Sequence, residues 1–420
     1  MKRRKNSLFN KELDPKPVIE VEEKHFKLRV VLLAVCIAVA IFSLGYWLFN
    51  LLNTEPGWRE ITVQSQKLHC GEDFIFQYNL GASGISATEE NKKITALYSQ
   101  ACQDAYDLFV SEQELAELGN LQHVNAHVNE SVTVDPRLYA VFSLLQQYES
   151  RLLFLAPVYA QYDGIFLAEN AQTAIQYDPM HNPEQMAYVT ELMGYIKQQD
   201  QIHLELLGDN QVCLRVGQEY LAYAQENGIE QFLDFGWLAN AFIADMLAQT
   251  LQDAGYTRGY LASYDGFTRN LDTSNTVYSQ NVFDRKDNAV DIAAVWEYTG
   301  PMSIVFFRNY PLSSADRWHY RAYADLNAIT TVYLDPADGV SKSATDNLLC
   351  YSKDLSCGEI ALKCAPLYLT EQFREDAINA LQTSGINCIW GEGSTICYNQ
   401  KDLPIGVIEN TGYTLNCVTQ

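Results

Sequence analysis

Six cysteines fall within the last 71 residues: Cys350, Cys357, Cys364, Cys388, Cys397 and Cys417. Thiols this dense can bind a metal or form bridges. The intervening gaps of 6, 6, 23, 8 and 19 residues lack the close C-x₂₋₄-C pairs of structural zinc. An even local set reads instead as up to three disulfides, with 15 connectivities open; reduced thiols are the other reading. Other catalytic signatures are missing: there is no G-x-S-x-G, H-E-x-x-H, P-loop or G-x-G-x-x-G. The seven His are scattered along the chain. The 26 Tyr would suit glycan or peptide contact, and a Tyr-rich β framework accounts for them equally well.

The elements that must position any site are legible in part. Ser86-Ala87-Thr88-Glu89 has the pattern of a capping box. Ile94, Leu97, Tyr98, Ala101, Ala105 and Leu108 then recur at helical spacing. Asp135-Pro136 predicts an N-cap followed by Pro at the first helical position, with Leu138, Val141, Phe142 and Leu145 turned inward. Strands are expected at 203–207, 212–216, 303–307 and 330–334, and around Phe74-Ile75-Phe76. Further helices are expected over 239–251 and from Thr370 into Leu381. No repeat, low-complexity tract or internal linker divides the chain. The class is α+β, as one mixed domain.

Ahead of that domain, Val30 to Leu52 holds 23 residues without Asp, Glu, Lys or Arg. As a helix this is about 34 Å long, enough to cross a hydrocarbon core of about 30 Å. Residues 1–29 carry nine Lys or Arg, whereas 53–70 carry only Arg59 and Lys67. Positive charge stays inside, which predicts a cytoplasmic N-terminus and an extracytoplasmic domain at the cell membrane. A cleaved signal peptide has a shorter apolar region and a small-residue cleavage site, and neither is present. Leu33-Ala34-Val35-Cys36 makes a poor lipoprotein box, because Val35 is bulky. The expected layout is a basic tail (1–29), an anchor (30–52), a linker (53–72) and a domain over 73–420. Beyond the anchor there are 20 basic and 47 acidic side chains, a net charge of −27. Such a surface repels nucleic acid and anionic lipid.

Several weak motifs come in a recognisable order. Leu233–Phe267, LDFGWLANAFIADMLAQTLQDAGYTRGYLASYDGF, is similar to the central block of the ApbE-type FAD:protein FMN transferases, D-[LF]-G-x-I-A-K-G-Y-x-x-D followed by a helix and a strand ending in G-G-D. Upstream, Ser111-Glu112-Gln113-Glu114-Leu115 with Asn125, then Val132–Pro136, resemble its S-E-L…N and V-x-V-S-P segments. Downstream, Tyr333–Gly339 resembles its I-D-P-x-T-G turn, and Cys357–Leu362 falls at its A-D-x-x-A-T stretch. The resemblance implies an ApbE-like, T-fold-related domain spanning roughly Ile75 to Val407. It also implies cleavage of FAD with magnesium and transfer of FMN to a Thr or Ser of a partner protein. If FAD binding is retained, Asn125, Asp234, Asn240, Asp245, Asp265 and Asp335 are the residues to hold it.

The departures argue against that activity. Asn240 stands where the family has Lys, and Ala241 where it has Gly. Ser263-Tyr264 replaces the Gly pair, which would bring a phenol ring into open space. Thr331-Val332 replaces a His pair, while Gly358 and Leu362 replace the metal-site Asp and Thr. Glu359 is a neighbouring carboxylate that a one-residue shift could recruit to a metal. The metal ligands are therefore undefined. The expectation is a membrane-tethered relative without catalysis and without a cofactor, binding or scaffolding an envelope protein partner. The first alternative is a divergent, active FMN transferase using FAD and magnesium. The second is an unrelated envelope domain that binds glycan or peptide.

Overall fold

The computed structural model describes residues 26–52, 54–64, 73–286, 289–323, 326 and 328–418. The chain forms two compact units, 1–54 and 55–420. The first contains the helix Phe26–Leu52, 27 residues long. Its side chains are described over 31–45, where Val31, Leu33, Ile41 and Phe42 are all exposed. Among the described residues no helix is long and apolar enough to cross a membrane.

The second unit is built on a nine-stranded sheet. Its strand order is Gly57–Glu60, Phe74–Leu80, Gly259–Ser263, Phe267–Asn270, Met302–Arg308, Asn347–Ser352, Asn387–Glu392, Thr395–Tyr398 and Thr414–Cys417. Neighbours are antiparallel except the last pair. Met302–Arg308 is buried at every position, because both faces of the sheet are covered. Val305 and Phe307 join a large core shared with the helices Ala239–Asp253 and Cys357–Tyr368. Ile304 and Phe306 point the other way, into a smaller core around Trp296 from the hairpin Val277–Lys286 and Ala289–Thr299. A separate three-stranded sheet joins Ser131–Thr133, Gln211–Val216 and Ile202–Gly208.

Local chemistry explains the elements that were read correctly. Ser86 caps Ala87–Phe109 by accepting from the Glu89 N–H at 3.2 Å, and Ile94, Tyr98, Ala101, Ala105 and Leu108 face the core. The reciprocal half of that box is replaced, because the Glu89 carboxylate pairs with Lys93 at 2.8 Å. Asp135 caps Pro136–Gln147, and the four apolar residues expected inward are buried.

Four expectations need correction. The stretch read as a linker contains the strand Gly57–Glu60, paired with Phe74–Leu80, so the folded unit begins at Glu55. The strand expected at 330–334 is Ala328–Thr331; beyond it Leu334 makes one bridge to Ser341, because Tyr333–Gly339 turns on Asp335. The helix expected from Thr370 begins at Glu375. A helix over Cys357–Tyr368 precedes it, opened by a full Ser356/Glu359 capping box. Disulfides are the fourth. All nine described cysteines are free, including the six C-terminal ones. Cys350 and Cys388 face each other across adjacent strands with Sγ atoms 3.7 Å apart, as thiols in the core. The Cys357 thiol donates to the Thr268 and Ile304 carbonyls instead. Buried cysteines here act as small apolar side chains. Cys70 lies outside the described residues.

Candidate functional site

One cleft is lined by residues of two motif segments, Ser111-Glu112 and Leu233–Phe267, together with Val332 of the pair that replaces the family's His residues. It encloses about 360 Å³ and is walled by the end of helix Ala87–Phe109, Ser111-Glu112, helix Ala156–Leu167, the start of helix Ala239–Asp253, Asp265 and Val332. Four carboxylates line it: Asp73, Glu112, Asp163 and Asp265. Tyr106, Phe109, Tyr159, Tyr162, Trp237 and Trp318 supply aromatic wall. Among the described residues lining it there is no Lys or Arg.

Its floor is held by short polar bonds. Asp234 accepts from Ser111 Oγ at 2.8 Å and from the Gly236 N–H at 2.6 Å. Gly236 has φ +51°, and a Cβ there would meet the Tyr159 ring at 2.6 Å, so both conformation and space require glycine. Burial pushes the Asp234 carboxyl up, against those two hydrogen bonds. Asn240 Nδ2 donates to Asp265 Oδ2 at 2.9 Å. Asp265 is 5% exposed, and among the described residues neither its other oxygen nor Trp237 Nε1 has a hydrogen-bond partner. Asp163 sits at the rim, where loss of hydration, then Asp234 and Glu112, push its carboxyl up to about 6. Water at its exposed edge works against that rise.

Of the six residues nominated from sequence, Asn240 and Asp265 line the cleft, and Asp234 is one bond behind it. The other three hold the scaffold. Asn125 accepts from the Phe232 and Leu233 N–H groups and donates to the Leu233 carbonyl, tying two segments over 100 residues apart. Asp245 accepts from Arg269 Nη1 at 2.7 Å and from the Cys357 and Gly358 N–H groups at 2.9 and 2.8 Å. Asp335 accepts from Lys342 Nζ and the Ala337 N–H within its own turn. Glu112 lies in the motif segment Ser111–Leu115 but was not nominated for the site, and Asp163 belongs to no motif. A roomier groove of about 620 Å³ beside Lys363 and Arg374 shares no lining residue with the cleft.

No protein-family model matches the sequence, and no curated protein matches it. Solved structures do match. The crystal structure of the ApbE protein from Thermotoga maritima aligns with TM-score 0.54 at 11% identity, over 84% of this chain and 97% of that one. The flavin transferase ApbE from Vibrio cholerae aligns with TM-score 0.51 at 12% identity, over 86% of this chain and 99% of that one. The chain has the ApbE fold. At such identity the likeness is one of fold.

Within that fold the positions that depart from the family pattern are occupied. Gly358 donates its N–H to Asp245, and a Cβ added there would lie 2.5 Å from the Phe242 ring. Leu362 is buried in the core. Glu359 serves the helix cap, its carboxylate accepting from the Ser356 N–H at 2.9 Å. Thr331 bonds Ser341, and Val332 puts a methyl surface on the cleft. Tyr264 is placed differently from the expectation. It is 44% exposed and does not line the cleft, because Ser263 Oγ takes the Phe267 N–H and turns the loop outward. The nearby buried cation, Arg308, donates to Asp316 Oδ1 and to the Tyr264 carbonyl. The departed positions supply neither a cation for a diphosphate nor the family's Asp and Thr for a magnesium ion, and no step is derived through either.

Proposed function

We propose that this chain is a membrane-anchored, extracytoplasmic protein of ApbE fold that binds a partner through its cleft and does not transfer flavin. The observation that carries the reading is the lining: four carboxylates and no Lys or Arg around the space where an ApbE-type enzyme would need to hold phosphates. A dianionic pyrophosphate approaching such a wall meets repulsion, and among the described lining residues neither Lys nor Arg offsets it. The wall suits a cationic or amide-bearing segment of an envelope protein. Aromatic faces attract cations, and Asp265 Oδ1 and Trp237 Nε1 are buried polar atoms without a hydrogen-bond partner among the described residues. The acidic domain, at −27, makes nucleic acid a poor partner.

The test of the non-catalytic reading is a transfer assay with FAD, magnesium and an acceptor peptide carrying the family's target Thr. No covalent flavin is expected. Flavin on the acceptor would promote the alternative, a divergent FAD:protein FMN transferase.

The anchor rests on the 23-residue apolar stretch and the basic residues before it. Protease added to intact cells should remove the acidic domain and leave a small N-terminal fragment in the membrane. A full-length chain untouched by protease, or a domain released soluble by cleavage near residue 50, overturns the topology.

A further inference from the structure

Away from the polar floor of the cleft, a second cluster has metal-ligand chemistry. His123 and His127 are four residues apart across the short helix Leu121–Ala126, which puts both rings on one face. Their centroids are 4.5 Å apart. Glu114 reaches them from the preceding loop. Its Oε1 lies 2.8 Å from His123 Nδ1 and 3.7 Å from His127 Nδ1. One ligand atom from each of the three residues lies within 4.8 Å of the others.

We infer that Glu114, His123 and His127 form a site for a divalent transition-metal ion of the zinc type. Ligands bonded at about 2.0–2.1 Å to a tetrahedral zinc are separated by about 3.3 Å. The two separations from Glu114 Oε1, 2.8 and 3.7 Å, bracket that value. Two imidazoles and one carboxylate favour zinc, copper or nickel over magnesium or calcium, which prefer all-oxygen shells. Three protein ligands leave a fourth position for water or an incoming group. The alternative is a hydrogen-bonded Glu114–His123 pair beside a His127 ring held by its own bond to the His123 carbonyl, and metal uptake distinguishes the two.

The ligands are held from outside the cluster. Asn120 Oδ1 accepts from the His123 and Leu115 N–H groups at 3.1 Å each, and its amide donates to the Gln113 carbonyl at 2.8 Å. One side chain therefore fixes the loop bearing Glu114 against the start of the helix bearing His123. The opposite side of that helix is fastened by Asn125. Access is open, since Glu114 and His127 are 39% and 34% exposed while His123 is 15% exposed. Binding through His127 Nδ1 has one local cost. The ring proton moves to Nε2, and the 2.9 Å hydrogen bond to the His123 carbonyl is given up. An ion here would tie the loop that begins with Ser111 and Glu112 to the helix, stiffening one wall of the cleft.

The test uses the full chain, with zinc chloride in a calorimetric titration and cobalt(II) as a spectroscopic stand-in. One ion per chain is expected at micromolar affinity or tighter. Cobalt should give the visible absorption of a four-coordinate ion without a thiolate charge-transfer band, which separates this site from the cysteines. Losing an outer partner of a metal ligand typically costs about 10–100-fold in affinity, so His127→Ala and Glu114→Gln should each cost at least about 100-fold. Both side chains are a third or more exposed, so neither change opens the core. His203→Ala, at a separate His–Glu pair, should leave affinity unchanged. No uptake of either ion, or uptake equal in His127→Ala, Glu114→Gln and the parent, overturns the site.

Discussion

Flavin adenine dinucleotide titrated into the full chain, with or without magnesium, will show no tight binding by fluorescence. An ApbE-type site needs positive charge at the phosphates. Here the Lys position is Asn240, whose amide is already bonded to Asp265 at 2.9 Å. Replacing that amide by an ammonium would place a cation beside Asp265 but leave Glu112 and Asp163 facing the ligand. Each charge-assisted hydrogen bond contributes about 1.5–3 kcal/mol, so losing two weakens binding by at least about 100-fold. Acidification works in a defined direction. The Asp163 carboxyl is pushed up to about 6, first by lost hydration and then by Asp234 and Glu112. Its charge is present above that pH and lost below it, so residual affinity should rise as pH falls toward 5 and decline above 7. Micromolar binding at neutral pH would reverse the reading of the cleft.

How much of this was legible in the sequence depends on the range of the interaction. Ser86 and Asp135-Pro136 mark helix starts because a cap is a bond between residues two or three apart. The helix Cys357–Tyr368 carried an equally local signal, Ser356 followed by Glu359, hidden among cysteines that suggested disulfides. The apolar run at 303–307 predicted a strand, although the burial of Met302–Arg308 between two layers depends on the distant hairpin Val277–Thr299. The motif order pointed to the fold, which the Thermotoga and Vibrio structures share. The character of the cleft was not legible. Ser111 meets Asp234 across 123 residues, and Glu112 and Asp163 become neighbours of Asp234 only when the helices pack. Tyr264 shows the same limit from the other side, since its direction is set by a Ser263–Phe267 hydrogen bond rather than by its place in a motif. The His123/His127 pair had a usable signal in its four-residue spacing, but Glu114 joins it only through the turn held by Asn120.

The Gly358→Asp change, which restores the family's acidic residue, should destabilise the protein by at least about 3 kcal/mol rather than create a metal site. Two effects compete at this position. Gly358 is in the first turn of helix Cys357–Tyr368, where an acidic side chain usually gains about 0.3–1 kcal/mol from the helix dipole. Against this, its Cβ would lie 2.5 Å from Phe242 Cε1 and 3.3 Å from Asp245 Oδ2. The first contact forces a buried ring to move, and overpacking of that kind costs about 1–3 kcal/mol. The second sets a new carboxylate against one whose own charge is engaged by Arg269 and two backbone N–H groups. Burial already pushes the Asp245 carboxyl up, so a second anion beside it raises both further. Clash and repulsion together outweigh the dipole. Gly358→Ala should carry the steric part alone and lose about 1–3 kcal/mol. Gly358→Asp combined with Phe242→Leu should recover part of the loss while keeping the repulsion. Denaturant unfolding of the three variants, with and without magnesium, separates the contributions. A Gly358→Asp protein as stable as the parent, or one that magnesium stabilises, would show that an acidic residue at this position can hold a metal.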